Sequence, residues 1–151
     1  MFKKILVPID GSEISTYALQ QAIKLVKDQH AKLKIIHIVD EQLVFSGEFY
    51  VDYSNLENIL RKSGLEILNN MAMIAKEENV GAEVKLIELH LLEGRIEEKI
   101  MHEAGEWQAD LIVIGTHGRR GVNRLMLGSV AENVVRISPI PVLLIPGTKK
   151  V

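Results

Sequence analysis

Residues 111–130 read LIVIGTHGRRGVNRLMLGSV, an apolar run that leads into a glycine-rich stretch and then into a helical pattern. The run from Leu111 to Ile114 is the most apolar strand candidate of the chain, which predicts a central, buried strand. The stretch after it holds four glycines, three arginines and no acidic residue before Ser129. This strand–loop–helix order indicates an α/β fold.

Apolar runs alternate with amphipathic helical patterns over the rest of the chain. The run from Glu83 to Leu89 begins with alternating charged and apolar residues, which predicts an edge strand. Repeated strand–helix–strand order predicts right-handed crossovers and a parallel sheet. We therefore expect one α/β domain over residues 1–151, a doubly wound five-stranded parallel sheet with four helices on both faces. The predicted strands cover residues 4–9, 33–39, 83–89, 111–114 and 142–145.

Composition limits the classes of function. The chain has 151 residues, 47% of them hydrophobic and 25% charged, which fits one globular domain. Its 18 basic and 20 acidic residues give a net charge of -2, so electrostatics offers no reason to expect nucleic acid as a partner. The absence of cysteine excludes disulfides, thiolate catalysis and zinc–cysteine sites.

The N-terminal apolar run is too short for a targeting signal. It covers residues 5–7 and is followed at once by Pro8 and, after one residue, by Asp10. No stretch of the chain approaches the roughly 18 apolar residues that a membrane span needs. The sequence therefore predicts a cytoplasmic protein without a membrane partner.

The glycine-rich stretch is the first candidate site. Glycine lets a backbone approach a ligand closely, and consecutive loop amides can bind an anion. Ser129 opens the next helix, whose N–H groups and dipole favour phosphate, and Arg119, Arg120 and Arg124 add positive charge. Ser129 with Glu132 also fits a capping box, a role that needs no ligand and is compatible with one. Position and composition together favour an anion site over a solvated loop.

Standard phosphate motifs are missing, but the chain resembles a known family. Neither G-x-x-x-x-G-K-[ST] nor G-x-G-x-x-G is present. Gly115, Gly118, Gly128 and Ser129 instead match G-x-x-G, nine residues, G-[ST], the pattern of ATP-binding universal stress proteins. The resemblance extends to ILVPIDGS at 5–12, ADLIVI at 109–114, GSVAE at 128–132 and PVLLI at 141–145. One departure is Gly94-Arg95-Ile96, where relatives often carry proline.

The resemblance implies the sheet order 3-2-1-4-5 and an adenine-nucleotide site. It implies that Asp10 contacts the ribose or adenine region, and that Val39 presents backbone groups to the adenine edge. The remaining implied site residues are Pro8 and Ile9 at the pocket floor, Ile114 and Gly115 beside the ribose, and Gly118, Gly128, Ser129 and Val130 at the phosphates. Arg119 joins this set through its charge.

The implied ligand is ATP, with AMP or another adenine nucleotide as alternatives. Mg²⁺ or Mn²⁺ could bridge the phosphates, and Asp10 and Asp40 are the obvious acids near the expected strand ends. The chain lacks a Walker lysine and a clear general base, so no catalytic residue is predicted. The alternatives to a regulatory nucleotide-binding protein are a slow ATPase and a dimeric scaffold that uses no nucleotide.

The last strand is a candidate dimer interface. The resemblance implies a homodimer in which residues 142–145 pair across a two-fold axis. An apolar edge strand aggregates unless something covers it, and two-fold pairing would do so. An unknown protein partner is also expected, and the acidic, aromatic loop from Glu41 to Tyr53 is either a lid, a partner contact or a surface loop.

Two histidines lie near these features. His37 falls inside the second strand, which favours a packed side chain over a ligand role. His117 lies inside the glycine-rich stretch, where it would either approach a phosphate or point to water.

Overall fold

The computed structural model describes residues 1–43, 53–117 and 127–147. Over these ranges the strands are β1 (Lys4–Ile9), β2 (Lys32–Asp40), β3 (Ala82–Leu89), β4 (Leu111–Gly115) and β5 (Val142–Ile145). The helices are α1 (Glu13–Gln29), α2 (Tyr53–Glu77), α3 (Ile96–Trp107) and α4 (Ser129–Ile137). All strand pairs are parallel and the order is β3-β2-β1-β4-β5. The predicted fold class and strand order are confirmed.

Alternate residues of the strands enter two separate hydrophobic cores. In β1, Ile5 and Val7 are buried with residues of α1 and α2, whereas Leu6 is buried with residues of α3 and α4. Burying one such side chain contributes roughly 1.5–3 kcal/mol before entropy is counted. β4 lies between β1 and β5 and is buried along its whole length, so the prediction of a central strand at 111–114 is confirmed.

The predicted edge strand is also confirmed, because β3 pairs with β2 on one side and ends the sheet.

A buried carboxylate ties α3 to this edge. Glu103 is 3% exposed and forms ion pairs with Lys34 and Lys85, each with an N–O distance of 2.6 Å. Burial alone raises the pKa of Glu103, but the two lysines outweigh it and hold that pKa below its usual value. This network fixes α3, whose first turn borders the groove described below.

The loop predicted over residues 41–53 gives way to regular structure at both of its ends. Residues Glu41–Leu43 form a 3₁₀ turn directly after β2, and α2 begins at Tyr53. The positions between them, 44–52, lie outside the described residues, and so do 118–126 and 148–151.

Candidate functional site

A groove of about 790 Å³ runs across the carboxyl ends of β1, β2 and β4. In a parallel sheet of this order the winding direction reverses between β1 and β4, where α/β proteins bind their ligands. Every predicted site residue that the structure describes lines this groove: Pro8, Ile9, Asp10, Val39, Ile114, Gly115, Gly128, Ser129 and Val130. Gly118 and Arg119 lie outside the described residues.

Asp10 lies at the end of β1 and organises the turn into α1. Its Oδ1 accepts the backbone N–H of Ser12 at 2.9 Å, and the Ser12 hydroxyl accepts the N–H of Ser15 at 3.2 Å. Ser12 is therefore the N-cap of α1, as the plain turn interpretation required. The same turn presents Asp10 to the groove, so its structural role and a ligand role are compatible.

The middle of the groove is apolar. Ile9, Val39 and Ile114 are each less than 8% exposed, and they form its floor at the strand ends. His37 approaches the Ile9 carbonyl oxygen with Nδ1 at 2.8 Å, which requires the proton to lie on Nδ1. The prediction that His37 is a packed strand residue agrees with this contact, although the ring also borders the groove.

Gln42 links two segments at the rim of the groove. Its N–H donates to Asp40 Oδ1 at 2.9 Å. Its side-chain amide reaches the carbonyl oxygens of His90 and Gly94 at 3.5 and 3.4 Å. The 3₁₀ turn after β2 is thereby held against the loop that precedes α3.

At the other end of the groove, α4 points its N-terminus towards the sheet edge. The N–H of Gly128 donates to Thr116 O at 2.7 Å, which fastens the start of α4 to the end of β4. The first intrahelical acceptor is Gly128 O, which bonds the N–H of Glu132 at 2.9 Å. The amides of residues 129–131 therefore have no intrahelical acceptor. Free amides and the dipole at a helix N-terminus favour negative charge nearby.

The capping-box prediction for Ser129 is wrong. The N-cap is Gly128, in an extended conformation with φ -61° and ψ 151°, and this residue supplies no capping side chain. Ser129 is already the first helical residue, so Glu132 lies four residues beyond the cap instead of three. Its hydroxyl is exposed at the mouth of the groove.

Gly115 is required by close packing at the end of β4. A Cβ atom there would lie 2.5 Å from Cγ2 of Ile14 and 3.4 Å from its carbonyl oxygen. The first turn of α1 thus approaches β4 at a distance that only glycine allows. This approach brings the turn at Asp10 and the loop after β4 to the same end of the groove.

Two polar side chains follow β4. Thr116 places its hydroxyl 2.9 Å from Nδ1 of His117. The other ring nitrogen of His117, Nε2, is buried and has no hydrogen-bond partner among the described residues. Both residues line the groove beside Gly128 and Ser129.

A charged cluster lies at the carboxyl ends of β2 and β3, and its residues are not among those that line the groove. His90 places Nδ1 3.0 Å from the buried carboxylate of Glu41 and Nε2 3.6 Å from Glu88. Arg61 contacts Glu88 at 2.6 Å and Glu57 at 3.7 Å. We call these five residues the Glu41–His90 cluster. The hydrogen bond to Glu41 raises the pKa of His90 above its usual value, against the opposing effect of desolvation.

The acids and the imidazole of this cluster lie close enough together to hold a metal ion. In this structure the guanidinium of Arg61 and the ring of His90 supply the positive charge that the carboxylates need.

Sequence analysis missed the wall that α2 contributes to the groove. Leu60, Ser63, Gly64 and Ile67 line it from that side. A Cβ atom on Gly64 would lie 2.7 Å from a methyl of Leu86, so this glycine lets α2 approach the sheet. A glycine inside an otherwise strong helical pattern was the available signal.

None of the helices in the described ranges combines the length and the apolar composition that crossing a bilayer requires.

Comparison with known proteins agrees with this architecture. The model of the universal stress protein family matches residues 1–146. A universal stress protein of Bacillus subtilis, YxiE, is 36% identical over 154 aligned positions, covering 96% of this chain and 99% of the relative. A Burkholderia pseudomallei universal stress protein structure is 33% identical with a TM-score of 0.77, covering 96% of both chains. The structure of a universal stress protein in complex with cAMP is 26% identical with a TM-score of 0.71, covering 97% and 99%. The chain belongs to the universal stress protein family.

Proposed function

We propose that this chain binds an adenine nucleotide, ATP foremost, in the groove at the carboxyl edge of the sheet. It would act in the cytoplasm as a regulatory homodimer of the stress response that changes its protein contacts with nucleotide. The observation that carries the proposal is the pairing, in one groove, of an apolar floor with the N-terminus of α4, whose N-cap Gly128 supplies no capping side chain. A family neighbour of the same fold is in complex with cAMP, an adenine nucleotide.

Charge orients the ligand in this proposal. The phosphates lie at α4, where the amides of residues 129–131 and the dipole favour negative charge. The nucleoside lies over Ile9 and Val39, with its ribose near the carboxylate of Asp10. The reverse orientation would take the phosphates away from these amides.

Mg²⁺ or Mn²⁺ fits this groove as an ion held mainly by phosphate. Asp10 and Asp40 both line it, and each uses one carboxylate oxygen to accept a backbone N–H, from Ser12 and Gln42 respectively. One or two carboxylates are enough for Mg²⁺ when phosphate and water supply the other ligands. The bound ion would neutralise phosphate charge beside Asp10.

The proposal is one of binding, with slow hydrolysis at most. An ATPase would show steady-state turnover that persists through rigorous purification. A scaffold that uses no nucleotide would keep its partner binding unchanged when the groove is blocked.

The first test is whether purified protein carries or binds nucleotide. We expect mass spectrometry of gently purified protein to find an adenine nucleotide, and calorimetry to detect ATP binding. Asp10→Asn keeps an oxygen for the N–H of Ser12 but removes the charge, whereas Asp10→Ala removes both. Both variants should weaken ATP binding, and Asp10→Ala alone should also loosen α1. Absence of adenine nucleotide and of ATP binding at millimolar ligand would refute the proposal.

The homodimer is proposed through β5. This strand ends the sheet at the edge opposite β3. Its apolar side chain Leu143 is 38% exposed. A charged side chain at an edge opposes strand pairing. We expect Leu143→Lys to convert the dimer to a folded monomer in sedimentation experiments, while Leu143→Val leaves it dimeric. Equal sedimentation of both variants as dimers would exclude this interface.

A further inference from the structure

Glu97 carries a carboxylate that is nearly removed from water and has no close partner in the described part of the chain. The residue is 7% exposed, and its one ion pair there is with Arg95, whose Nη1 lies 3.9 Å from Oε1. The Arg95 side chain is 74% exposed, so this long contact contributes little. Because a buried charge without hydrogen bonds is costly, the carboxylate calls for a donor that arrives from elsewhere.

The other buried glutamates that the structure describes are paired within the fold. Glu103 forms ion pairs with two lysines at 2.6 Å, and Glu41 lies 3.0 Å from Nδ1 of His90. Neither of these two glutamates lines the groove, whereas Glu97 does. Of the three carboxylates, the one at the groove is therefore the one that the described residues leave without a hydrogen bond.

The carboxylate of Glu97 is open to the groove. Glu97 lies in the first turn of α3, on the face of the sheet that α4 also covers. Ile100, Ile114 and Ala131 belong to the hydrophobic core on this face and line the groove as well. Among the side chains that the structure describes, Nε2 of His117 is the one fully shielded polar atom without a hydrogen bond. The unpaired oxygens of Glu97 therefore keep contact with solvent, and a ligand in the groove reaches them.

A hydroxyl is the ligand group that suits this carboxylate. An ionised carboxylate repels phosphate and only accepts hydrogen bonds. A metal ion needs several ligand atoms, and Glu97 does not belong to the group of described acids and imidazole that lie close enough together to hold one. A hydroxyl needs a single acceptor, and two adjacent hydroxyls match the two oxygens of one carboxylate. In α/β folds that bind dinucleotides, an acidic side chain accepts the ribose 2′-hydroxyl in this way.

We propose that Glu97 accepts hydrogen bonds from the 2′- and 3′-hydroxyls of the ribose, and so makes the groove selective for ribonucleotides over nucleotides without these hydroxyls. The inference rests on the proposed nucleotide function and names the ligand class of that site. With the phosphates at α4, the ribose is the adjoining part of the nucleotide, and α3 packs in the same core as α4. Asp10 faces the sugar from β1 in this arrangement, with Oδ1 occupied by the N–H of Ser12. A sugar without the hydroxyls leaves Glu97 a buried acceptor without a donor, which is the source of the selectivity.

The test compares ATP with 2′,3′-dideoxy-ATP, which lacks both hydroxyls, by calorimetry on the full chain. We expect wild type to bind ATP at least about tenfold more tightly than the dideoxy analogue, because hydrogen bonds to a buried charged acceptor are lost. Glu97→Met removes the acceptor and should bind the two ligands within about threefold of each other. Glu98→Gln is the matched control, since it removes a charge from the same helix turn at a position that does not line the groove. It should keep the selectivity of wild type.

Stability supplies an independent readout. Glu97→Met replaces a buried, unpaired carboxylate by an apolar side chain of similar length, so the free protein should be at least as stable as Glu98→Gln. A glutamate that serves only the dipole of α3 would instead cost stability when it is removed, and its loss would leave the selectivity unchanged. An equal preference for ATP over the dideoxy analogue in wild type and Glu97→Met would overturn the inference.

UTP and its 2′,3′-dideoxy form separate this inference from the proposed function, because they carry the same sugars on another base. If UTP is preferred over its dideoxy form through Glu97 but ATP does not bind, the ribose role of Glu97 stands and the adenine-nucleotide function fails. If wild type binds ATP and dideoxy-ATP equally, the nucleotide function stands and the role of Glu97 fails. If none of the four ligands binds, both are overturned.

Discussion

Two regions at the carboxyl edge of the sheet differ in how completely their polar groups are paired. At the β4–α4 end, the amides of residues 129–131 lack intrahelical acceptors and Nε2 of His117 lacks a partner among the described residues. At the carboxyl ends of β2 and β3, the Glu41–His90 cluster pairs its acids with an arginine and a histidine of the same chain. The first region is an incomplete set of donors, and the second pairs its charged groups with one another.

This difference teaches where a ligand contributes most. A donor that is already paired gains little from a ligand, because one hydrogen bond only replaces another. A donor without a protein partner bonds a ligand without giving up a contact within the protein. We therefore expect substitutions at α4 to change ligand affinity, and substitutions in the cluster to change stability and its pH dependence.

The largest expected effect comes from filling the space at Gly115. Gly115→Ala would place Cβ 2.5 Å from Ile14 Cγ2, so we expect the free energy of unfolding to fall by about 1–3 kcal/mol. Gly81→Ala is the control, because a Cβ there meets nothing within 4 Å. Denaturant titration measures both changes.

A double-mutant cycle identifies the clash as the cause. Ile14→Ala removes the methyl that meets the new Cβ, so the loss caused by Gly115→Ala should shrink in that background. A loss that is the same in both backgrounds would place the cost of Gly115→Ala elsewhere.

The second largest expected effect is on the affinity for ATP. Ser129→Pro removes one amide from the first turn of α4, a position where proline is tolerated because no intrahelical bond is lost. Gly128 already has the extended backbone that precedes proline without strain. We expect the Kd for ATP to rise about tenfold, which corresponds to about 1.4 kcal/mol, with little change in stability.

Ser129→Ala is the control for this substitution, since it removes the hydroxyl and keeps the amide. A smaller loss of ATP affinity in Ser129→Ala than in Ser129→Pro would assign the difference to the backbone donor. Calorimetry that finds the two variants equal would contradict an amide-based phosphate site.

The smallest expected effect is the pH dependence of the stability that the Glu41–His90 cluster contributes. Since the folded-state pKa of His90 is raised, its pairing stabilises the protein fully below the unfolded value of about 6.5. That contribution is lost as pH rises through the higher folded-state pKa. We expect the stability difference between wild type and His90→Gln to shrink over this range, as measured by denaturant titration at successive pH values.

NMR titration checks the cause of this shift. Glu41→Gln should lower the pKa of His90 towards its usual value, because the largest upward contribution is the hydrogen bond to Glu41. An unchanged pKa in that variant would assign the shift to Glu88 and Glu93 instead. ATP affinity should not follow this titration if the cluster balances its own charges.

Most of the fold could be predicted from local patterns. Alternation in Glu83–Leu89 indicated an edge strand, and the uninterrupted apolar run at 111–114 indicated a buried one. The start of α4 could not be predicted, because serine followed three residues later by glutamate fits a cap whether or not the serine is helical. The backbone angles of Gly128 decide that question.

The Glu41–His90 cluster could not be predicted, because the residues that contact each other in it are distant in sequence. Glu41 and His90 are 49 residues apart, and nothing in either local pattern marks the other. The parallel register of β2 and β3 brings them to one edge by pairing Asp40 with Leu89. Sequence reasoning reached the α4 end of the groove because a single continuous stretch carries most of its residues.

The hydrogen bond between Gly128 and Thr116 has a consequence for tolerance to change. It joins the residue that precedes α4 to the residue that follows β4, so it fixes the position of α4 relative to β4. The entropic cost of closing a loop rises only slowly with its length. A change in the number of residues that connect β4 to α4 is therefore expected to cost the folded protein little.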